Sequence, residues 1–212
     1  QLNIEDDYNI SESLKFYLNL VLRSEQNIFK DQSQFKIDGK KYYFDWYHSL
    51  STRTRIGRQK VRWGNSYYWN PTDYFNPVQG LLEQNEEEET LLGIVTNTYY
   101  LGNSWDFIAT VPDRNQKAGL GIKTSRLIGN YQIDLNGFYN KDIGALGFYS
   151  SRRIGELVFY NQVGFIIEDG ETHWQGLLGG SYIVDFNKNI MVWGEYYHND
   201  KEAGHMAKNH LA

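Results

Sequence analysis

Three cationic side chains stand at alternate positions in one short stretch of the chain, Arg58, Lys60 and Arg62. Alternate residues of a β-strand project from the same face, so we expect the three charges to form a row. Such a row can attract anions into a water-filled passage. It can also pair with carboxylates of neighbouring strands, for which Asp45 and Asp134 are the candidates, and pairing is the favoured interpretation.

Other patterns that could support chemistry are weak. The chain has no cysteine, no G-x-S-x-G, no phosphate-binding Walker loop and no H-E-x-x-H. The acidic run Glu86–Glu89 lacks the spaced oxygen ligands of a calcium loop, so we interpret it as a solvated loop. The five histidines show no metal-ligand spacing. We therefore predict no enzymatic activity, no metal and no cofactor. The histidines are His48, His173, His198, His205 and His210.

The composition favours a β-rich protein with many aromatic side chains at boundaries between water and apolar surroundings. Mean hydropathy is -0.60 and no stretch approaches the roughly 18 apolar residues of a spanning helix, so any membrane crossing must use strands. Aromatic residues make up 16% of the 212 residues, including 17 Tyr and 6 Trp, which suit interfacial positions. The net charge of -5 gives no broad basic surface for nucleic acid.

Apolar and polar residues alternate with a period of two in segments of about ten residues, which predicts β-strands. Phe16, Leu18 and Leu20 share one face of the first such segment, and Tyr17 and Asn19 share the other. Turn residues separate the segments. The predicted strands are eleven: Lys15–Arg23, Lys40–Leu50, Arg53–Trp63, Thr90–Tyr100, Trp105–Val111, Lys117–Arg126, Tyr131–Tyr139, Ile143–Arg152, Glu156–Ile167, Thr172–Val184 and Asn189–His198.

This pattern predicts an all-β fold, an antiparallel up-and-down transmembrane β-barrel over residues 1–198. Loop lengths predict that the long connection at 64–89 and the stretch Ser24–Gly39 lie outside the cell. Residues 199–212 are predicted to be a tail, either disordered or derived from cloning. Because bacterial single-chain barrels usually have an even number of strands, the odd count led us to expect a segment of a larger barrel.

A barrel of this kind needs a polar interior and an apolar outside. Placing Val61 and Trp63 against lipid turns the three neighbouring cations inward, since a cation on the lipid face near the midplane costs about 2–4 kcal/mol. The predicted lumen-lining residues are Arg58, Lys60, Arg62, Gln132, Asp134 and Asn136. The soluble alternative, in which the apolar faces point inward, remains open from alternation alone.

The most distinctive residues lie between positions 57 and 77, where GRQxxxWG is followed by WNPTDxxNP. This combination resembles a family of Gram-negative outer-membrane β-barrels that are porin-like or alginate-export-like. The resemblance is specific over those 21 positions and architectural elsewhere. The motif residues are Gly57, Arg58, Gln59, Trp63, Gly64, Trp69, Asn70, Pro71, Thr72, Asp73, Asn76 and Pro77.

Together these features predict an outer-membrane channel for passive or weakly selective passage of small polar solutes. The alternatives are a barrel that sheathes a partner such as an electron-transfer cytochrome or forms part of an envelope assembly, and a soluble β-barrel that binds an apolar ligand. The expected partners are outer-membrane lipids and lipopolysaccharide, together with a further copy of the chain or a periplasmic protein. Nucleic acid is not expected.

Overall fold

The residues that the structure describes form a single antiparallel sheet of twelve strands that follow one another in sequence order. The computed structural model describes residues 2–27, 32–64, 66–75, 90–113, 117–185 and 190–201. The strands are β1 (Leu2–Asn9), β2 (Leu14–Asn27), β3 (Gln32–Ser49), β4 (Thr52–Gln59), β5 (Leu91–Tyr100), β6 (Asn103–Thr110), β7 (Gly119–Ile128), β8 (Tyr131–Asn140), β9 (Ile143–Ile154), β10 (Leu157–Glu168), β11 (Glu171–Asp185) and β12 (Ile190–Asn199). Each strand is antiparallel to the next, so the topology is up-and-down.

Alternation along each strand gives the sheet two different faces. On β8, Asp134 and Asn136 are buried, whereas Leu135 and Tyr139 between and beyond them are exposed. The register carries this alternation from strand to strand, because Asp134 lies opposite Tyr149 and Leu135 opposite Phe148. We call the face that carries Asp134 the inner face and the face that carries Leu135 the outer face.

The outer face is apolar around the sheet. Large side chains on it that remain exposed include Phe44, Ile94, Phe107, Leu120, Leu146, Phe165 and Leu178. Exposed aliphatic and aromatic side chains spread over most of the strands suit a lipid surround and would be costly in water. The soluble-barrel alternative is therefore wrong, because the apolar stripes point away from the interior. No helix among the described residues has the length and apolar character needed to span a membrane.

Tight turns close most of the hairpins. Leu101 and Gly102 have φ of 50° and 79°, and Asp169 and Gly170 have φ of 51° and 82°. Positive φ at both central residues is the turn that matches the twist of two paired strands. One end of the sheet has only connections of two to four residues, and we call it the short-turn end. These are the connections after β1, β3, β5, β7, β9 and β11.

The opposite end, which we call the long-loop end, holds the connections 60–90 and 111–118. The structure differs from the sequence prediction most in the first strands. β1 was not predicted, because Asp6 interrupts its outer stripe between Ile4 and Tyr8. β2 and β3 extend to Asn27 and from Gln32, so most of the predicted connection Ser24–Gly39 is strand. The described residues contain twelve strands, one more than predicted, and the expectation of a segment of a larger barrel stays a prediction.

Candidate functional site: the barrel interior

Residues 60–64 and 66–75, which follow β4, leave the wall and lie against the inner face. We call them the inner segment. Its side chains are among the most buried in the protein, with 1% of Trp63 and none of Thr72 exposed. Because strands as far apart as β7 and β12 contact it with the same face, the sheet wraps around this segment.

Hydrogen bonds fix the middle of the inner segment to β8 and β10. The Thr72 hydroxyl donates to Gln162 Oε1 at 2.9 Å, and Asn136 Nδ2 donates to the Thr72 carbonyl at 3.0 Å. Asn70 Nδ2 donates to the Trp63 carbonyl and so ties residue 70 back to the first part of the segment. Each of these amides uses one polar atom in this way, whereas Asn70 Oδ1, Asn136 Oδ1 and Gln162 Nε2 are buried without a hydrogen-bond partner among the described residues.

Two inner-face glycines allow this close approach. A Cβ at Gly164 on β10 would overlap the Pro71 carbonyl oxygen, and a Cβ at Gly147 on β9 would overlap the Asn136 amide and crowd Thr72. Because these two positions have no side chains, the inner face of the sheet has a groove there, and the inner segment occupies it.

Glu195 on β12 holds the next part of the inner segment. One carboxylate oxygen accepts the Tyr67 backbone N–H at 2.7 Å, and the other accepts the Tyr68 N–H at 3.0 Å. The Tyr160 hydroxyl donates to the same carboxylate at 2.8 Å. Hydrogen bonds to a charged acceptor are stronger than neutral ones, so this carboxylate is the firmest polar attachment of the segment.

Aromatic rings surround that attachment. Tyr67 stacks on Trp193 with centroids 5.2 Å apart, and Trp69 stacks on Tyr197 at 5.5 Å with the rings 1° from parallel. Stacked pairs add about 0.5–1.5 kcal/mol beyond their buried area. The segment therefore crosses from β4 to β12 and is anchored on both polar and aromatic contacts.

An apolar cluster anchors the start and end of the inner segment. Trp63 meets Phe75 edge-on at 4.8 Å, and Phe75 meets Phe138 of β8 edge-on at 5.0 Å. Val61, also buried, joins them. The prediction that Val61 and Trp63 face lipid is wrong, because the alternation that turns Ile56 outward continues inward at 61 and 63. The rest of the cluster comprises Leu91, Val95, Ile108 and Ala145.

A row of charged and amide side chains crosses the inner face from β3 to β6. Arg55 holds both Asp45 oxygens at 3.0 Å in a bidentate pair. Arg53 donates to Asn97 Oδ1 at 3.2 Å, and Asn97 donates in turn to Asp106 at 2.6 Å. These groups satisfy one another without closing off water, since the Arg53 side chain keeps 37% of its surface exposed.

The same row continues to β8. Lys123 lies between Asp106 and Asp134, with its ammonium 3.8 Å and 3.9 Å from their oxygens. Gln132 Nε2 donates to Asp134 at 3.1 Å. We call the whole set the polar ladder: Asp45, Arg53, Arg55, Asn97, Asp106, Lys123, Gln132 and Asp134.

The polar ladder borders a cavity of about 170 Å³ between the wall and the inner segment. Lys60 and Arg62 line this cavity together with Arg53 and Arg55. Arg62 also donates to the Ser66 carbonyl at 2.9 Å. Burial, and then the neighbouring cations Lys41 and Arg62, lower the pKa of Lys60 from its usual 10.5, and Asp73 opposes this shift. Cationic charge is thus concentrated where the segment leaves β4.

The structure separates the predicted cationic row. Only Arg58 lies on a strand, because β4 ends at Gln59. Arg58 shares the outer alternation with Ile56, pairs with Asp113 and donates to the Thr90 carbonyl at 3.2 Å. A charge near the end of a strand on this face costs little compared with one at the midplane. The prediction that Arg58, Lys60 and Arg62 form one row facing the lumen is therefore wrong.

The other predicted residues lie on the inner face as expected. Gln132 and Asp134 belong to the polar ladder, and Asn136 binds the inner segment. Asp45 and Asp134 do pair with cations, but with Arg55 and Lys123 rather than with residues 58–62.

Sequence reasoning missed five inner-face residues, Arg53, Arg55, Lys123, Gln162 and Glu195. Several of them are next to an outer-face residue (Thr54, Ile122 or Val163), and this alternation could have assigned them to the inner face. The motif residues 57–75 build the end of β4 and the inner segment. Asn76, Pro77 and the acidic run Glu86–Glu89 lie outside the described residues.

Two solved structures of OmpT, an outer membrane protein of Vibrio cholerae, have folds similar to this chain. OmpT with loop L8 deleted matches with a TM-score of 0.53 at 11% identity, over 93% of this chain and 84% of that one. In-vitro folded OmpT matches with a TM-score of 0.51 at 12% identity, over 93% and 77%. No protein-family model and no curated protein sequence matches the chain. The fold is that of a transmembrane β-barrel of the bacterial outer membrane, as predicted.

The prediction that the chain is not an enzyme is corrected by this finding. It rested on absent motifs, and the similar structures are named as outer membrane proteins, a description that leaves catalysis open for this fold. Likeness at this identity carries the fold alone, so the exclusion of catalysis is withdrawn.

Proposed function

We propose that the protein is a porin-like channel that lets small polar solutes cross the outer membrane, narrowed by its own inner segment. The observation that carries this proposal is the polar ladder, a continuous set of polar and charged side chains across six strands of the inner face. A wall of this chemistry suits water and polar solutes, whereas an interior built only for stability would be better filled by apolar side chains.

The inner segment supports passage of small rather than large solutes. It occupies the interior from β4 to β12, and its attachments through Thr72 and Glu195 hold it in one position. A fixed obstruction of this kind sets the width of the remaining passage. The 170 Å³ cavity beside Lys60 is one part of the space that remains.

The polar ladder also sets how charge is sensed. Its three cations each lie beside a carboxylate or an amide of a neighbouring strand, so each charge is partly neutralised. Weak selectivity follows, because a row of one sign is needed for strong discrimination. The resemblance of residues 57–77 to porin-like and alginate-export-like barrels agrees with this proposal. Membership of that family is part of what we propose.

The sheath hypothesis has less support. A barrel that encloses a folded partner needs an empty interior, whereas residues 60–75 already lie across this one.

Planar-bilayer recording of the full folded chain tests the channel directly. We expect stepwise conductance and swelling of proteoliposomes in small sugars. Arg55→Gln removes one cation from the polar ladder and leaves Asp45 without its bidentate partner, so the reversal potential in a salt gradient should shift toward cation preference. Arg152→Gln is the matched control, because Arg152 lies over the Tyr131 ring on the outer face at 4.7 Å and should not change selectivity.

Two results would overturn the proposal. One is a folded barrel, identified by its heat-modifiable migration on gels, that neither conducts nor admits sugars. The other is an equal shift of reversal potential in both arginine variants, which would mean that the interior charges do not contact the permeating ions.

A further inference from the structure

The outer face carries a groove of about 350 Å³ that crosses β7, β8 and β9. Gly137 of β8 lies at the floor of the groove, where it contributes no side chain. Its walls are high, since Leu120, Tyr139 and Leu146 keep 64%, 67% and 66% of their surfaces exposed. The groove is therefore a cleft in the apolar stripe with a shape that a flexible hydrocarbon chain can fill.

The glycine leaves usable space. A Cβ added at Gly137 would lie 3.4 Å from Leu146 and 3.9 Å from Ile122, which is ordinary contact. Nothing in the backbone requires glycine at this position, because its φ is not in the left-handed region. The missing side chain deepens the groove without serving the fold of the strand.

Positive charge stands at one end of the groove. Lys141 lies in the turn between β8 and β9, two residues beyond Tyr139, and its side chain is exposed. Two residues of a strand span about 7 Å, so a lysine there reaches the headgroup of a lipid whose chain occupies the groove. Lys117 is at the same end of the sheet, paired with Asp142. Lysine ammonium groups bind phosphate as point charges.

The lysines stand at the long-loop end of the sheet. In outer-membrane barrels the short turns are periplasmic and the longer loops extracellular. The connections 60–90 and 111–118 therefore place this end at the outer surface. The lipid of that leaflet is lipopolysaccharide, whose lipid A part combines acyl chains with phosphate.

We propose that this groove is a binding site for lipid A, with one acyl chain lying over Gly137 and a phosphate at Lys141. Charge complementarity and the leaflet both favour lipid A over a zwitterionic phospholipid. The proposal needs the barrel and its orientation but not the channel function.

Native mass spectrometry of the full folded chain in detergent, with purified lipid A or phosphatidylethanolamine added, tests the site. Wild type should retain lipid A in preference to phosphatidylethanolamine. Gly137→Leu fills the groove and should reduce lipid A affinity about tenfold, the effect of losing roughly two methylene contacts. Lys141→Glu should reduce it about fivefold or more, the factor expected for one lysine beside an anionic lipid.

The matched control is Gly194→Leu, which adds the same side chain to the outer face of β12, where a Cβ meets nothing within 4 Å. It should retain lipid A like wild type. Equal loss in the two leucine variants would overturn the proposal, because the effect would then be general to the apolar face. Equal retention of both lipids by wild type would overturn it as well. Heat-modifiable migration shows that each variant is folded.

Discussion

Glu195 illustrates how one side chain connects the wall to the interior. Its carboxylate accepts the N–H groups of two consecutive residues, Tyr67 and Tyr68, and the Tyr160 hydroxyl. A carboxylate can serve three donors because both oxygens carry free lone pairs. An amide has one accepting oxygen, and its NH₂ group would face a backbone N–H.

Glu195→Gln should therefore loosen the inner segment. We expect a stability loss of about 2 kcal/mol, as for a hydrogen bond to a charged group. We also expect a larger and noisier single-channel conductance, since residues 66–69 lose their polar attachment. Urea unfolding and bilayer recording measure the two effects. Glu171→Gln is the control, because that carboxylate is 79% exposed. Unchanged conductance in Glu195→Gln would mean that the segment does not narrow the passage.

Lys60 gives the interior a pH-dependent charge. Burial and the nearby cations Lys41 and Arg62 lower its pKa, so the ammonium loses its proton at a pH below the usual 10.5. A neutral amine no longer attracts anions. The ratio of cation to anion permeability should thus rise as pH is raised toward that value. Reversal potentials across a pH series measure it, and Lys60→Arg should remove the rise because arginine stays charged.

At the scale of elements, the strands that alternate cleanly could be predicted from the sequence. β8 and β10 were identified with both faces correct, since large apolar residues at most alternate positions, interrupted only by Gly137 and Asn161, leave a single orientation in a lipid surround. β1 was missed because Asp6 stands on its outer stripe. The structure places β1 through its pairing with β2, a tertiary contact that no local pattern contains.

The inner segment could not be predicted for a similar reason. Val61 and Trp63 are apolar and the residues between and before them are cationic, so they were interpreted as strand residues facing lipid. What turns them inward is contact with distant residues such as Phe138 and Gly121. The motif residues indicated a turn-rich stretch, but not the surface on which it packs.

The fit of the inner segment into the wall gives an element-scale prediction. Gly164→Ala places a methyl group against the Pro71 carbonyl, which must shift. Overpacking of this kind costs about 1–3 kcal/mol. We expect a lower unfolding midpoint in urea together with altered conductance. Gly194→Ala adds the same methyl group in open space on β12 and should match wild type. If both variants behave alike, the segment does not pack in the position described.

At the scale of the whole molecule, the two faces and the two ends follow from the same chain. The outer face is mainly apolar, with polar residues such as Thr54 and Arg58 on β4, and the inner face carries the polar ladder and the inner segment. The connections at the short-turn end are short, whereas the inner segment, residues 60–64 and 66–75, enters the interior from the long-loop end. Solutes entering from the long-loop end would therefore meet the inner segment from the side on which it leaves the wall.

This orientation predicts which positions a membrane-impermeant reagent reaches. The chain has no cysteine, so single cysteines report without background. Val111→Cys lies at the long-loop end, where that side chain is 48% exposed, and Asn130→Cys lies in the exposed turn between β7 and β8 at the short-turn end. A maleimide attached to a polyethylene glycol chain too large to pass a porin, added to intact Gram-negative cells, should label Val111→Cys and leave Asn130→Cys unlabelled until the cells are lysed. The reverse pattern would mean that the barrel has the opposite orientation, with Lys141 at the periplasmic leaflet. The argument that lipid A lies over Gly137 would then fail, whereas the apolar outer face and the polar ladder do not depend on the orientation.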